Sequence, residues 1–330
     1  MKANRSSSLL ITIGLVVLLV AAMAVAGCTD TANKNPPGPV APAVTPATDM
    51  TTQGAAPAAT PAASVQTSAP AAPKQKQTIK ISGSTTVLPI VQKAADQYMA
   101  AHPEADIQVS GGGSGVGIQA IGAKTVDIGM SSREVTKDEM AKNPAFVVIP
   151  VAQDGIAVVV NPANTILFIT LDQAKDIYLG KITKWSEITG ANVPNTNNQI
   201  VVIGRDSASG TRTYFDETIL LKATPTNKML EKNSNGAVTQ TIAQTPGAIG
   251  YVSIGFVDKN VKALPIWYND PNKAVAPTKE NVLSKAYPIN RELFMFTNGQ
   301  PTGLAKDYLD FILSPEGQKI VDSEGYVPLI

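Results

Sequence analysis

Three short segments place glycine and hydroxyl side chains directly after an apolar run. They are Ile81-Ser82-Gly83-Ser84-Thr85-Thr86, Ser110-Gly111-Gly112-Gly113-Ser114-Gly115 and Gly204-Arg205-Asp206-Ser207-Ala208-Ser209-Gly210-Thr211. In each, the pattern predicts a strand that ends, a tight turn and a helix that begins. Backbone N–H groups at a helix start have no intrahelical partner, and the helix dipole makes them electropositive. With hydroxyls alongside, such a turn can hold a tetrahedral anion without a full counter-charge. The third segment adds Arg205, whose guanidinium can grip two oxygens at once. Asp206 beside it is placed to orient that arginine by a second bond. A fourth segment, Gly129-Met130-Ser131-Ser132-Arg133, follows an expected strand at 126–128 and offers two more hydroxyls and a second arginine. One such turn alone says little, because any βα loop can use glycine for its backbone and serine as a helix cap. Three of them with two arginines in adjacent loops point to an oxyanion site.

Other chemistries fit less well. A dinucleotide fingerprint begun at Gly111 meets Val116 where glycine is required, and one begun at Gly115 ends on Ala120 and starts too far past its strand. The stretch around Gly210 lacks the Gly-Lys-Ser/Thr ending of a P-loop. Ser114 is not in a nucleophile elbow, since Val116 takes the last glycine position. The single histidine, His102, precedes Pro103 at an expected helix end and reads as a surface residue. Trp185 and Tyr178 read as packing residues. Asp154 differs, because it lies between strongly apolar stretches at 146–151 and 156–160, where a carboxylate is costly unless paired. It either caps a local turn or accepts the proton of a protonated ligand oxygen.

The elements that must position these loops alternate. Strands are expected at 78–82, 107–109, 126–128, 146–150, 155–160, 200–203, 248–252 and 292–296. Helices are expected at 87–101, 117–123, 171–179, 211–222, 237–244, 304–313 and 315–323. In the first helix Val87, Ile90, Val91, Ala94, Ala95 and Tyr98 fall on one side. Strand–helix alternation over this length means an α/β fold with mainly parallel sheets. In such sheets, turns at the carboxyl ends of strands are where ligands bind.

The 330-residue chain has a formal net charge of +1, which gives no support to nucleic-acid binding. One cysteine, Cys28, excludes an intrachain disulfide, and one histidine excludes a multi-histidine metal site. Lys2 and Arg5 precede an apolar run at 9–26 that ends in Val25-Ala26-Gly27-Cys28. This is the layout of a secretory signal peptide at 1–27, with Cys28 placed as in a lipoprotein processing site. The alternative is an uncleaved membrane anchor. Both put the rest of the chain outside the cytoplasm. Residues 28–77, rich in Ala, Pro, Thr and Gln, have too few large apolar side chains to offset ordering entropy and read as a tether. Residues 78–330 suffice for two modest domains or one large one.

Several motifs together resemble the substrate-binding proteins of phosphate ABC transporters, the PstS family. They are Ser82-Gly83-Ser84-Thr85-Thr86-Val87, Gly112-Gly113-Ser114-Gly115, Val126-Asp127-Ile128-Gly129-Met130-Ser131-Ser132-Arg133, Asp154-Gly155-Ile156-Ala157-Val158, Thr183-Lys184-Trp185, Arg205-Asp206-Ser207-Ala208-Ser209-Gly210-Thr211 and Pro246-Gly247-Ala248-Ile249-Gly250-Tyr251. The resemblance covers nearly all of 78–330. It implies a two-lobed periplasmic-binding-protein fold of type II, with an anion clamped in the cleft. By the same resemblance, phosphate contacts map onto Ser84, Thr85, Ser114, Arg205, Ser209, Gly210 and Thr211. Some members carry an aspartate that accepts the ligand's proton where this chain has Ser132, followed by Arg133; Asp154 is the candidate substitute.

The resulting expectations are a first lobe of 78–157 with 287–330, a second lobe of 158–286, and a hinge at their two crossings. The ligand set is Ser84, Thr85, Ser114, Ser132, Arg133, Asp154, Arg205, Ser209, Gly210 and Thr211, with no metal, no cofactor and no catalytic residue. Expected partners are inorganic phosphate, the permease subunits of an ABC transporter, and the outer face of the cytoplasmic membrane through lipidated Cys28. The protein is expected to act as a monomer and not to bind nucleic acid. Other oxyanions (sulfate, molybdate, tungstate) are the alternative ligands, and a phosphoesterase on the same scaffold is the alternative activity.

Overall fold

The computed structural model describes residues 76–191, 193, 198–268 and 273–330. Cys28, the signal peptide and all but the last two positions of the expected tether lie outside the described residues. Gln77, read from the sequence as tether, opens the first strand and pairs with Ala105.

In chain order the elements are β1 (Gln77–Gly83), α1 (Leu88–Ala101), β2 (Ala105–Ser110), α2 (Ser114–Gly122), β3 (Ile128–Ser131), α3 (Lys137–Lys142), β4 (Phe146–Val160), β5 (Ile169–Thr170), α4 (Leu171–Tyr178), β6 (Val201–Arg205), α5 (Gly210–Thr218), β7 (Leu230–Lys232), α6 (Asn235–Gln244), β8 (Ala248–Ser253), β9 (Lys262–Ala263), β10 (Ile266–Trp267), β11 (Ala274–Val275), α7 (Lys279–Leu283), β12 (Asn290–Asn298), α8 (Gly303–Leu313) and α9 (Pro315–Ser323). The main sheet runs β2-β1-β3-β12-β4-β8-β6-β7, with β9 added beside β4. The expected parallel pairings are found at both ends, β1 with β2 and β3, and β6 with β7 and β8. The middle is antiparallel, because β12 pairs with β3 and β4, and β4 with β8.

β4 is the structural surprise. The two strands expected at 146–150 and 155–160 are one strand of 15 residues. Its first part pairs with β12, from Phe146 to Gly155, and its last part with β8, from Ile156 to Val160. One strand therefore serves two hydrophobic cores. The first packs Ile79, Ile81, Val91, Ile128, Met295 and Tyr308. The second packs Val158, Trp185 and Tyr287 around a stack of Phe215 on Tyr251, with ring centroids 4.0 Å apart. Trp185 donates to the Gly247 carbonyl and Tyr178 to the Ile203 carbonyl, so both pack the second core while meeting the hydrogen-bonding need of their buried polar ends.

Two further boundaries shift for local reasons. β3 starts at Ile128, where the sequence pattern ends a strand, and its residues Gly129, Met130 and Ser131 are buried. Gly129 lies under the Phe296 ring, which a Cβ would meet at 2.5 Å, so the glycine is there to let β3 and β12 pack. α2 starts at Ser114, three residues earlier than expected, because Gly113 takes φ +99 and turns the chain straight into the helix. That brings Ser114 to the first helical position.

Candidate functional site

All three glycine–hydroxyl turns lie at carboxyl ends of parallel strands, and they converge. After β1, the Ser84 hydroxyl accepts from the Thr86 backbone N–H, and Ser84 N donates to the Met130 carbonyl. After β2, Gly113 N donates to the Gly83 carbonyl, tying the second turn to the first. After β6, Ser209 caps α5 by accepting from Arg212 N at 3.2 Å. This third turn touches the second directly, since Gly115 N donates to the Ala208 carbonyl at 3.0 Å. A Cβ on Gly210 would stand 2.3 Å from Ser114 Oγ and 2.9 Å from Ser132 Oγ. Only glycine allows the start of α5 to come so close to those hydroxyls. Ser132 N donates to Ser114 Oγ at 3.0 Å, and the two hydroxyls lie 3.4 Å apart.

Arg205 ends β6 and is almost fully buried. Its Nε donates to the Lys232 carbonyl, and its Nη2 to Thr85 Oγ1 at 3.0 Å and to the Asn233 carbonyl at 3.2 Å. Nη1 is buried and has no hydrogen-bond acceptor among the described residues. A guanidinium nitrogen without a partner is costly, so the position favours an anionic oxygen. Burial pulls the Arg205 pKa down to about 10, opposed by the nearby Asp206 carboxylate, and leaves the side chain cationic at neutral pH. Asp206 does not hold the guanidinium: its Oδ1 accepts from Ala208 N at 3.0 Å. The carboxylate folds back on its own loop, the local turn that Asp favours, and backbone carbonyls orient the arginine instead.

Asp154 neither caps a turn nor stands free. It lies inside β4, fully buried, and accepts from Arg291 Nε and Nη2 at Oδ2 (3.0 and 2.8 Å) and from Ser253 Oγ at Oδ1 (2.6 Å). Burial raises its pKa, while the Arg291 charge and the Ser253 and Ile254 hydrogen bonds oppose the shift. Arg291 also reaches the Ser132 carbonyl (2.9 Å) and Thr211 Oγ1 (3.1 Å). It is thus the second arginine of the cluster.

Arg133, the second arginine of the sequence reading, points elsewhere. Its two terminal nitrogens grip Glu139 at 2.8 Å each, and the same Glu139 closes a capping box with Thr136 at the start of α3. The side chain lines a cavity of about 610 Å³ with Glu134, Tyr214, Lys285, Arg291 and Glu292. Ser84, Thr85, Ser114, Ser132, Arg205, Ser209, Gly210 and Thr211 are therefore brought together, with Asp154 behind them and Arg133 to one side.

With this geometry established, the comparisons with known proteins decide the family. Residues 61–316 match the model of the PBP superfamily domain. The phosphate-binding protein PstS of Bacillus subtilis (strain 168) is 38% identical over 264 residues, covering 79% of this chain and 84% of that protein. The chain belongs to the PstS family. Among solved structures, a substrate-binding protein from Clostridium perfringens with bound phosphate superposes with a TM-score of 0.71 at 34% identity, covering 77% of this chain and all (100%) of that one. An ABC-type phosphate transport receptor from Vibrio cholerae superposes with a TM-score of 0.61 at 32% identity, covering 76% and 99%.

For this PstS-family chain, sequence reasoning missed four residues of the buried cluster: Thr86, Asn235, Ser253 and Arg291. Asn235 Nδ2 donates to Thr86 Oγ1 at 2.9 Å, and Thr86 Oγ1 lies 3.1 Å from Thr211 Oγ1. Thr86 stood in the first hydroxyl turn without being assigned a contact, and Arg291 also had a signal in the sequence. A carboxylate at Asp154 between apolar stretches requires a buried cation, and Arg291 borders the expected strand at 292–296.

Proposed function

We propose that the protein captures inorganic phosphate outside the cytoplasmic membrane and delivers it to an ABC transporter permease, breaking no bond. One observation carries the reading: Arg205 is buried, its Nη1 has no hydrogen-bond partner among the described residues, and its Nη2 meets Thr85 Oγ1 in the first of the hydroxyl-bearing turns. Those groups suit a tetrahedral oxyanion. The phosphate-binding proteins that this chain resembles supply the choice of anion. In this reading Ser84, Thr85, Ser114, Ser132, Arg205, Ser209, Gly210 and Thr211 contact the ligand. Residues 78–157 with 287–330 form one lobe, 158–286 the other, and they close over the anion. Cys28 carries the lipid that holds the protein on the outer face of the membrane.

A second reading, a receptor for a fully deprotonated anion such as sulfate, gains support from Asp154. Its oxygens are occupied by Arg291 and Ser253, so it offers no acceptor to a ligand proton. Titration calorimetry of the purified protein with phosphate, sulfate, molybdate and tungstate separates the readings. Phosphate binding well below millimolar, lost in Arg205→Ala, is the expected result. Tight sulfate binding with no phosphate binding would replace phosphate by sulfate as the ligand.

A further inference from the structure

We infer that Thr86 and Asn235, together with Arg291, lock the Thr211 hydroxyl as a hydrogen-bond donor toward the anion, so that the ligand oxygen facing Thr211 must be deprotonated. This deepens the phosphate reading and rests on it, because it gives a direction to one contact of that site.

The argument is a count of lone pairs. A hydroxyl oxygen has one proton to give and two lone pairs to fill. The amide of Asn235 has a forced orientation: Ser253 N, which can only donate, lies 3.3 Å from Oδ1. The NH2 group therefore faces Thr86, and Nδ2 donates to Thr86 Oγ1 at 2.9 Å. Arg291 Nη2, also donor-only, spends one hydrogen on Asp154. Its other hydrogen is shared between Thr211 Oγ1 at 3.1 Å and Thr86 Oγ1 at 3.4 Å. Thr86 Oγ1 thus faces two groups that can only donate, and its proton goes to its one neighbour able to accept, Thr211 Oγ1, 3.1 Å away. Thr211 now accepts from Arg291 and from Thr86, so its own proton has to leave the triad. Thr211 Oγ1 has no other hydrogen-bond neighbour among the described residues, and it sits in the first turn of α5 next to Gly210, which lies against the Ser114 and Ser132 hydroxyls. Thr86, Asn235 and Arg291 are positioning residues, acting on the ligand through Thr211.

Burial keeps water from reversing the chain. Thr86, Thr211 and Asn235 are each no more than 1% exposed. Ser114 and Ser132 differ, because their mutual hydrogen bond can run either way. The site thus has a fixed donor at Thr211 and an adaptable pair at Ser114 and Ser132. A monobasic phosphate, with two protonated oxygens, is harder to fit to such a set than a dibasic one. An oxygen that brings a proton to a donor leaves two donors opposed and one acceptor unmet.

The test compares phosphate affinity above and below the second ionisation of phosphate, in wild type, Thr86→Val and Thr86→Ser. Valine keeps the shape of threonine but removes the proton that fills the second Thr211 lone pair, so Thr211 can accept from a protonated oxygen. The ratio of affinities at high and low pH should shrink at least about threefold in Thr86→Val and return in Thr86→Ser. An unchanged ratio in a folded Thr86→Val, whatever its absolute affinity, would overturn the inference, because packing damage weakens both forms alike. Neutron diffraction on wild-type crystals gives an independent answer if the variant does not fold. It should find the Thr86 deuteron on the line to Thr211 Oγ1; a deuteron running from Thr211 to Thr86 overturns the inference. A wild type that binds no phosphate at either pH would sink the phosphate reading, while the deuteron position still decides the hydroxyl order.

Discussion

Arg291 and Asp154 are register partners across the β12–β4 ladder, and the guanidinium meets the carboxylate through two hydrogen bonds at 3.0 and 2.8 Å. Both side chains are buried, at 2% and 0% exposure. The sheet therefore carries a salt bridge at its centre, directly behind Thr86, Thr211 and Ser132.

Breaking that pair should be costly. Arg291→Met leaves a buried carboxylate without its cation, and urea unfolding should show a loss of about 3–5 kcal/mol. Adding Asp154→Asn removes the orphaned charge and should restore at least half of that loss. A double variant no more stable than Arg291→Met would mean that the arginine stabilises the fold through its other contacts.

Arg205 should be irreplaceable by lysine. Its Nε and Nη2 hold separate acceptors, and a single ammonium cannot hold both while facing an anion. Calorimetry should show Arg205→Lys weakening phosphate binding by about 2–5 kcal/mol, the usual cost of truncating a buried charged hydrogen bond. A lysine variant within about threefold of wild type would place the main anion contact elsewhere.

Arg133 should matter for acid stability and not for the ligand. Its hydrogen bonds hold the Glu139 carboxyl at about 2, below the ordinary value of 4.5. A depressed carboxylate pKa means that the unfolded chain binds more protons as the medium turns acidic. The stabilisation is fully present above pH 4.5 and is lost as pH falls toward about 2. Partial exposure limits it to about 1 kcal/mol. Glu139→Gln should lack that acid-dependent loss in thermal melts, and Arg133→Ala should bind phosphate within about twofold of wild type.

Gly113→Ala should prevent the second and third turns from meeting. Its φ is +99, and a Cβ would stand 2.6 Å from the Ala208 carbonyl oxygen. Phosphate should dissociate at least about tenfold faster, as expected when an interface contact is strained, in stopped-flow measurements. An unchanged off-rate would show that this contact does not hold the ligand.

The three turns were legible because their chemistry is local. Glycine, hydroxyls and a following helical period lie within a few residues of one another, and the strand ends around them follow. The cluster behind them was not, because its members meet only through the sheet. The expected strand began at Glu292, which left Arg291 in a loop, and nothing in the linear pattern showed that β12 runs antiparallel to β4 with Arg291 opposite Asp154. Arg133 misled for the converse reason. Its place beside Ser131 and Ser132 suggested the site, but Glu139, six residues on, was the nearer anion. Asp206 failed likewise, since its own loop offered a backbone N–H closer than the guanidinium.

The contact between Gly115 N and the Ala208 carbonyl is made of main chain alone. Its strength does not depend on which side chains the two loops display, so the residues around it can drift without weakening it. The exceptions are Gly113, where any side chain collides with the opposing carbonyl, and Gly210, where one would collide with the Ser114 hydroxyl. Mutational tolerance in this region should therefore be sharply uneven, with glycine fixed at 113 and 210. A variant library selected for growth on scarce phosphate would show those two glycines as fixed letters.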